Sequence, residues 1–239
     1  MKFSQLFRIY VNQPLAKNQT ICLVDERQHY LSLVIRLRID QKIRIFNERD
    51  GEFVAQVRSI GKKETILIVE DIFRSVIIEP PLILALCIIK LDRFLEAIRA
   101  AVQIGVTEII PIVSSRVQLK KIPREKIENI LQQSTEQSER LKIPILADET
   151  SLEDLLQRRD IEQIIFANEN ELENKIIADI RGWKDELCVL IGPEGGFTDR
   201  EIKLLEQSNV TSISLGETVM RSEIATIVTL GCVKMMRNK

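Results

Sequence analysis

Residues 191–201 read Ile-Gly-Pro-Glu-Gly-Gly-Phe-Thr-Asp-Arg-Glu and join an apolar run, Leu187 to Ile191, to a polar stretch of helical length. Glycines at the end of a predicted strand let a ligand approach bare backbone, because glycine has no Cβ and adopts positive φ readily. Thr198-x-x-Glu201 is a capping box, which starts a helix. A turn that only connects strand to helix is the alternative. The combination favours a ligand loop in an α/β domain.

A second stretch of the same kind lies at residues 213–225. An apolar strand again ends at a glycine, Gly216, and a helix follows, with Ser222 placed to cap it. Ligands bind outside the carboxyl ends of the strands in open α/β sheets. We therefore expect the two glycine-bearing strand ends to supply one pocket.

The residues after Gly216 indicate what this pocket holds. We expect the apolar side chains of Val219 and Met220 to pack against an adenine ring, with Arg221 and Glu223 adding charge at the helix start. A core position for Met220 is the alternative, as is a solvated ion pair for Arg221 and Glu223.

Several common site types are excluded by the sequence. Neither G-x-G-x-x-G nor G-x-x-x-x-G-K-[ST] occurs, so the phosphate loops of dinucleotide enzymes and P-loop proteins are absent. His29 is the only histidine and the four cysteines form no C-x-x-C pair, which leaves neither a zinc site nor a disulfide framework. We expect chemistry without a metal.

Beyond Glu79-Pro80-Pro81, strand-length apolar runs alternate with helix-length amphipathic stretches, which indicates an α/β domain with a mainly parallel sheet. The predicted strands are Leu82 to Ile89, Glu108 to Val113, Gln163 to Ala167, Leu187 to Ile191 and Thr211 to Leu215. The predicted helices are Asp92 to Ile104, Pro123 to Arg140, Glu169 to Ile180, Asp199 to Gln207 and Ser222 to Met236. In the first helix Leu91, Phe94, Ile98 and Val102 form one apolar stripe.

The region before the prolines has a different pattern. Short apolar runs at Ile43 to Phe46, Phe53 to Val57 and Thr65 to Val69 are separated by Asp-Gly and Gly-Lys turns, which favours a small β-barrel or meander. Residues 1–72 carry 12 Lys and Arg against 9 Asp and Glu, whereas the remainder carries 22 against 26. This basic surplus is a weak indication of nucleic-acid binding. We assign residues 1–74 and 75–239 to two domains.

The longest apolar run, Pro80 to Ile89, is about half of the roughly 20 residues that cross a bilayer, and the first ten residues lack a signal-peptide pattern. We expect a cytoplasmic protein without a membrane partner.

The two glycine stretches carry a family resemblance. Ile-Gly-Pro-Glu-Gly-Gly-Phe followed by Leu215-Gly216 and Arg221-Ser222-Glu223 resembles the SPOUT superfamily of knotted methyltransferases, and within it the bacterial family (RsmE) that methylates N3 of a uridine in 16S ribosomal RNA. Similar motifs occur at Lys90-x-Asp92-Arg93, at residues 105–111, at Glu136-Gln137-Ser138-x-Arg140 and at Arg36-Leu37-Arg38. The resemblance therefore covers nearly the whole chain.

The resemblance implies a PUA-like RNA-binding β-barrel followed by a SPOUT-type α/β domain with a trefoil knot. It implies S-adenosylmethionine as cofactor, a homodimer, and 16S ribosomal RNA within the small ribosomal subunit as substrate. The positions expected to bind the cofactor are Ala167, Asn168, Ile191, Gly192, Pro193, Gly195, Gly196, Leu215, Gly216, Val219 and Met220.

Methylation of uridine N3 requires loss of the N3 proton, so a nearby cation is expected to stabilise the anionic base. Arg221 is the candidate cation, and Glu223 and Glu194 are candidate orienting groups. Planar guanidinium groups bind phosphate and stack on bases, so the candidate RNA contacts are arginines. They are Arg8, Arg36, Arg93, Arg116 and Arg140. A plain surface role is the alternative for each of them.

The sequence departs from the family pattern at several positions. Thr218 stands where the family usually has an arginine, Ile224 where it has a threonine, and residues 99–103 differ on a helix face. The Thr218 departure keeps open the alternative of an RNA-binding ribosome assembly factor with weakened catalysis. A further alternative is a SPOUT methyltransferase that acts on transfer RNA or another RNA.

Overall fold

The structure, a computed structural model, describes residues 6–24, 36–117, 121–169 and 175–237. The chain folds into two compact units. The first comprises Met1–Ile78 together with Thr135–Lys142, and the second comprises Glu79–Ser134 together with Ile143–Lys239. Along the chain the first unit passes into the second after Ile78, four residues beyond the predicted boundary, and a segment from the second half of the sequence packs with the first unit.

The first unit is built on a curled five-stranded sheet in the order β1-β3-β4-β5-β2. Its strands are β1 (Arg8–Tyr10), β2 (Thr20–Val24), β3 (Lys42–Asn47), β4 (Gly51–Ile60) and β5 (Glu64–Arg74). β1 and β3 are parallel and the other pairs are antiparallel. Register shifts interrupt the long β4–β5 pairing, and such irregularities bend a sheet. The three predicted apolar runs lie within β3, β4 and β5, whereas β1 and β2 were not predicted.

A buried charge cluster stands beside the apolar core of this unit. The side chain of Glu52 is fully buried, and its carboxylate lies 2.7 Å from Arg8 Nε, 3.3 Å from Arg44 Nη1 and 2.8 Å from Arg74 Nη2. Arg8 also donates to the backbone oxygens of Thr135 at 3.0 Å and of Arg140. The cluster thereby holds residues 135–140 against the strands of the unit.

The second unit is a parallel sheet with helices on both faces, which confirms the predicted α/β class. The strand order is β12-β10-β11-β6-β7-β8, and β9 also pairs with β7. The strands are β6 (Leu82–Cys87), β7 (Glu108–Val113), β8 (Ile145–Leu146), β9 (Thr150–Ser151), β10 (Gln163–Ala167), β11 (Leu187–Ile191) and β12 (Val210–Ile213). The helices are α1 (Leu91–Ile104), α2 (Arg124–Gln137), α3 (Leu152–Leu156), α4 (Asp199–Glu206) and α5 (Ser222–Arg237), with a 3₁₀ turn at Ile177–Asp179. The last three residues of α2 belong to the first unit.

Two apolar cores lie on the two faces of this sheet. One face packs against α1, α2 and α5 through side chains such as Phe94, Ile127 and Leu230. The other face packs against α3 and α4. The central strands β6 and β11 are buried at every position, because both of their faces are covered. Phe94, Ile98 and Val102 are buried as the predicted stripe of α1 requires.

One predicted helix is wrong. Residues 175 and 176 are not helical, Ile177–Asp179 forms only a 3₁₀ turn, and Ile180 is extended; residues 170–174 of the predicted helix lie outside the described part. The carboxylate of Asp179 accepts the backbone N–H of Ile176 at 3.0 Å, a local bond that competes with a longer helix. Ile177 and Ile180 both pack against the core from this irregular backbone.

Within the described residues, no helix has both the length and the apolar character that crossing a membrane requires.

We predict that Glu52→Gln destabilises the first unit strongly. The substitution leaves buried guanidinium groups without their shared carboxylate, and breaking a buried ionic cluster costs about 3–5 kcal/mol of unfolding free energy. Glu70→Gln is the matched control, because Glu70 pairs with Lys42 at 2.6 Å in a partly exposed position and is expected to lose about 1 kcal/mol or less. Urea denaturation followed by circular dichroism measures both, and equal losses would contradict the role given to Glu52.

Candidate functional site

A cavity of about 620 Å³ in the second unit opens where three parallel strands end. Ala167 of β10 pairs in register with Ile191 of β11 and with Ile213 of β12. The chain segments that follow these three residues therefore begin at one level of the sheet edge. They form most of the cavity wall, as expected for the carboxyl edge of a parallel sheet.

The loop after β11, residues 192–198, is a tight turn that leads into α4. Gly196 donates its backbone N–H to Pro193 O at 2.9 Å and has a φ of 67°, a conformation that favours glycine. The predicted capping box at the start of α4 is confirmed, because the Thr198 side chain accepts from the Glu201 backbone and the Glu201 side chain accepts from the Thr198 backbone.

Glu201 also fixes a second segment of the site. Its Oε1 accepts the backbone N–H of Ser115, in the segment after β7, at 2.8 Å, while Oε2 accepts the N–H and the hydroxyl of Thr198, each at 2.8 Å. Burial raises the pKa of Glu201, but the hydrogen bonds from Ser115 and Thr198 outweigh burial and hold the pKa below its usual value. The stabilisation from this carboxylate is therefore present above the ordinary carboxyl range and is lost as pH falls through the lowered pKa.

The loop after β12 contributes the opposite wall and is tied to the first loop. Gly216 has a φ of 116°, and a Cβ placed there would meet no atom within 4 Å, so the space beside it is open. The Ser222 hydroxyl donates to Gly192 O at 3.0 Å. The predicted cap by Ser222 is therefore wrong: Ser222 is already in the first turn of α5, and the backbone N–H of Ala225 bonds to Arg221 O instead.

All of the positions expected to bind a cofactor line this cavity. Lining residues that the sequence analysis did not assign to the cofactor or to catalysis are Phe166, Glu169, Phe197, Asp199, Ile202, Glu217, Thr218, Ser222 and Ala225. Phe166 and Phe197 pack edge to face with ring centroids 5.4 Å apart, and they support the glycine loop from the sheet side. The position of Phe197 directly after two glycines could have identified it as a lining residue from the sequence. Ile202 and Ala225 had no such signal, because the packing of their helices brings them to the wall.

The charged candidates separate into wall residues and a buried residue. Glu194 and Arg221 line the cavity, whereas Glu223 is buried at 4% exposure and is not part of the wall. Arg93 and Arg116, which the sequence assigned to RNA contacts, also line the cavity. Arg93 contacts the carboxylate of Glu194, and Arg116 donates to the backbone oxygen of Gly195.

The remaining RNA candidates differ in accessibility. Arg36 is exposed and has a φ of 56°. Arg8 and Arg140 are only 5% and 8% exposed, and the guanidinium of Arg8 is committed to Glu52 and to backbone oxygens. The guanidinium of Arg8 therefore binds groups of the protein itself, and an RNA contact of Arg8 or Arg140 stays a prediction.

In the parts of the chain that the structure describes, no group of three or more His, Cys, Asp or Glu side chains is placed to hold a metal ion. The cavity instead combines exposed backbone at glycines, apolar side chains and a mixed set of guanidinium and carboxylate groups. Such a lining suits an organic ligand that carries both polar and apolar parts.

Comparison with known proteins gives a consistent result. Residues 78–234 match the family described as RNA methyltransferase domain, and residues 23–70 match the family described as RNA methyltransferase PUA domain. The ribosomal RNA small subunit methyltransferase E of Rickettsia conorii is 36% identical over 233 residues, which cover 96% of this chain and 95% of that protein.

Solved structures share the fold over nearly the full length. A Legionella pneumophila protein in complex with the bound cofactor SAM has a TM-score of 0.87 at 27% identity and covers 97% of this chain and 98% of its own. The ribosomal RNA small subunit methyltransferase E of Neisseria gonorrhoeae, bound to S-adenosyl methionine, has a TM-score of 0.88 at 22% identity, with 97% and 98% covered.

Proposed function

The chain belongs to the ribosomal RNA small subunit methyltransferase E family, and we propose that it transfers a methyl group from S-adenosylmethionine to N3 of a uridine in 16S ribosomal RNA. The observation that carries the proposal is the cavity at the ends of β10, β11 and β12, because the positions at which the family resemblance implies cofactor contact all lie on its wall.

The wall suits this cofactor. A volume of about 620 Å³ is within the range of small-molecule sites, about 300–1,000 Å³. The open space beside Gly216 lets a ligand lie against the backbone, and Leu215, Val219 and Met220 offer apolar surface to an adenine ring. Val219 is 76% exposed, so a ligand seated on it would bury apolar surface that now faces solvent.

When bound, S-adenosylmethionine supplies a methyl group on a sulfonium centre, which becomes neutral as N3 takes the methyl group and the sulfur keeps the electron pair of the broken bond. The N3 proton of uridine passes to water. Arg221 is exposed at the cavity rim, where its guanidinium stabilises the negative charge that develops on the uracil ring. Glu194, on the cavity wall, and the buried Glu223 orient the polar side chains near the start of α5.

We assign RNA binding to the first unit and to the cavity rim. The match of residues 23–70 to the RNA methyltransferase PUA domain supports a PUA-like barrel, and the exposed Arg36 supports a phosphate contact there. Arg93 and Arg116 offer guanidinium groups to RNA at the cavity itself. A substrate in the small ribosomal subunit supports a cytoplasmic location for the protein.

The course of the chain after β12 supports the trefoil knot that the family resemblance implies. β12 pairs with β10, yet the following helix α5 packs against β11 and α1, and its first residue bonds to the loop after β11. We propose that this return of the chain toward β11 passes through a loop and makes the knot.

A second apolar face of α5 supports a homodimer. The inward face of the helix is buried in the core, but further apolar or small residues recur at helical spacing on the other side. They are Ile224, Ile227, Val228, Gly231, Cys232 and Met235, of which Ile224 and Met235 are 43% and 71% exposed. We propose that a second copy of the chain covers this stripe.

The function is tested by methyl transfer from labelled cofactor into small ribosomal subunits taken from a strain that lacks this gene. We expect label in 16S RNA and 3-methyluridine on nucleoside analysis. Binding of cofactor and RNA without methyl transfer would instead support the assembly-factor alternative. Thr218, which lines the cavity where the family usually has an arginine, is the residue that favours this alternative. Methyl transfer confined to another RNA would support the alternative of a SPOUT methyltransferase with a different RNA substrate.

We predict that Gly196→Val weakens S-adenosylmethionine binding at least about tenfold, equal to about 1.4 kcal/mol, because the new side chain enters the cavity wall. Gly182→Val is the matched control: Gly182 has a similar φ of 70° and open space around it, but it lies outside the cavity. Both variants should lose about 1–2 kcal/mol of stability through backbone strain. Isothermal titration calorimetry measures the affinity, and unchanged affinity in Gly196→Val would remove the loop from the cofactor site.

We predict that Arg221→Ala and Arg36→Ala separate chemistry from RNA binding. Loss of a preorganised charge stabiliser lowers the rate by about 100-fold or more, so Arg221→Ala should slow single turnover at saturating RNA. Arg36→Ala should weaken RNA affinity and reduce its salt dependence by about one phosphate contact, with the saturated rate unchanged. The opposite pattern in the two variants would require both roles to be withdrawn.

A further inference from the structure

Three guanidinium groups line the cavity, and they differ in how they are held. Arg221 is exposed and makes no side-chain hydrogen bond or ion pair with the described residues. Arg116 is exposed and donates to the backbone oxygen of Gly195. Arg93, in the first turn of α1, lies between two carboxylates and is one-third exposed. Among these three arginines of the cavity wall, Arg93 is therefore the one whose position is set by charged partners.

The two carboxylates beside Arg93 are unlike each other. Glu194 lies on the glycine loop with its side chain 40% exposed, and it contacts Arg93 Nη1. Glu223 lies in the first turn of α5 with its side chain only 6% exposed, and its Oε1 is 3.8 Å from Arg93 Nε. Its second oxygen, Oε2, is buried and has no hydrogen-bond partner among the described residues.

Burial makes Glu223 depend on Arg93. A buried carboxylate is costly unless a cation or hydrogen-bond donors compensate it, and Arg93 is the cation within ion-pair distance in the described part of the chain. The converse also holds, because the buried carboxylate cannot follow Arg93 outward and attracts the inner side of its guanidinium as an ion pair at 3.8 Å, without a hydrogen bond. Glu223 does not line the cavity, whereas Arg93 does. Glu223 can therefore act on a ligand through Arg93.

We infer that Arg93 is a second catalytic cation, which contacts the carbonyl oxygens of the target uracil, and that Glu223 is its positioning residue. This inference rests on the proposed function. As the N3 proton passes to water, negative charge spreads to the two uracil oxygens that flank N3. A guanidinium held in advance by a buried carboxylate stabilises that charge without reorganising. Glu194 is the exposed partner that the base displaces, since an exposed ion pair contributes little.

The test is a double-mutant cycle measured as single turnover at saturating RNA and cofactor. Arg93→Ala should slow the reaction about 100-fold and Glu223→Gln about tenfold, with cofactor affinity by calorimetry changing by less than about threefold. Because Glu223 acts through Arg93, adding Glu223→Gln to Arg93→Ala should slow the reaction no further than Arg93→Ala alone. Arg93→Lys should lie between wild type and Arg93→Ala, since an ammonium keeps the charge but not the planar fork.

Arg200→Ala is the control, because Arg200 is 90% exposed, lies outside the cavity wall and should leave the rate unchanged. Thermal unfolding of every variant shows whether a slow rate reflects a damaged fold. Rate losses that multiply in the double variant would overturn the inference, because Glu223 would then act independently. A loss of RNA affinity in Arg93→Ala at an unchanged saturated rate would make Arg93 a phosphate contact instead. An inactive wild-type chain would contradict the proposed function itself.

Discussion

The site depends on the parallel register of β10, β11 and β12. Ala167, Ile191 and Ile213 are partners across these strands, so the segments that follow them leave the sheet side by side. A shift of one strand by one residue would exchange its two faces and break the packing of both apolar cores. The same apolar packing that stabilises the unit therefore also sets the spacing of the loops that form the cavity.

The loops are held to each other by few but well-placed polar contacts. Ser222 bonds to Gly192, which joins the start of α5 to the glycine loop. Glu201 joins Ser115 to Thr198, which brings the segment after β7 to the same loop. These bonds restrict loops that contain positive-φ glycines and would otherwise sample many conformations. They leave the backbone of the loops exposed to the cavity while limiting the entropy that a ligand must remove on binding.

The arginines show how one residue type serves several purposes in one chain. Arg8 and Arg44 surround the buried Glu52 and stabilise the first unit, whereas Arg36 is exposed on that unit. In the second unit, Arg93 pairs with carboxylates, whereas Arg221 has no carboxylate partner among the residues that the structure describes. Charge counts cannot separate these roles, because they depend on burial and on the partner of each guanidinium. The basic surplus of the N-terminal region thus includes guanidinium groups that are buried in ion pairs within the unit.

What the sequence determined by itself was local. The apolar runs of β7, β10 and β11 and the capping box at Thr198 were predicted with the bounds and bonds that the structure has, since strand burial and helix capping depend on neighbouring residues. The resemblance of the two glycine stretches to one family predicted which residues bind the cofactor, and these residues line the cavity. Tertiary structure alone decided that Arg8 is buried against residues 135–140, that Ser222 bonds to Gly192 rather than capping α5, and that Glu223 stands behind Arg93. These contacts join residues 30 to 132 positions apart, and no local period or spacing encodes such a pairing.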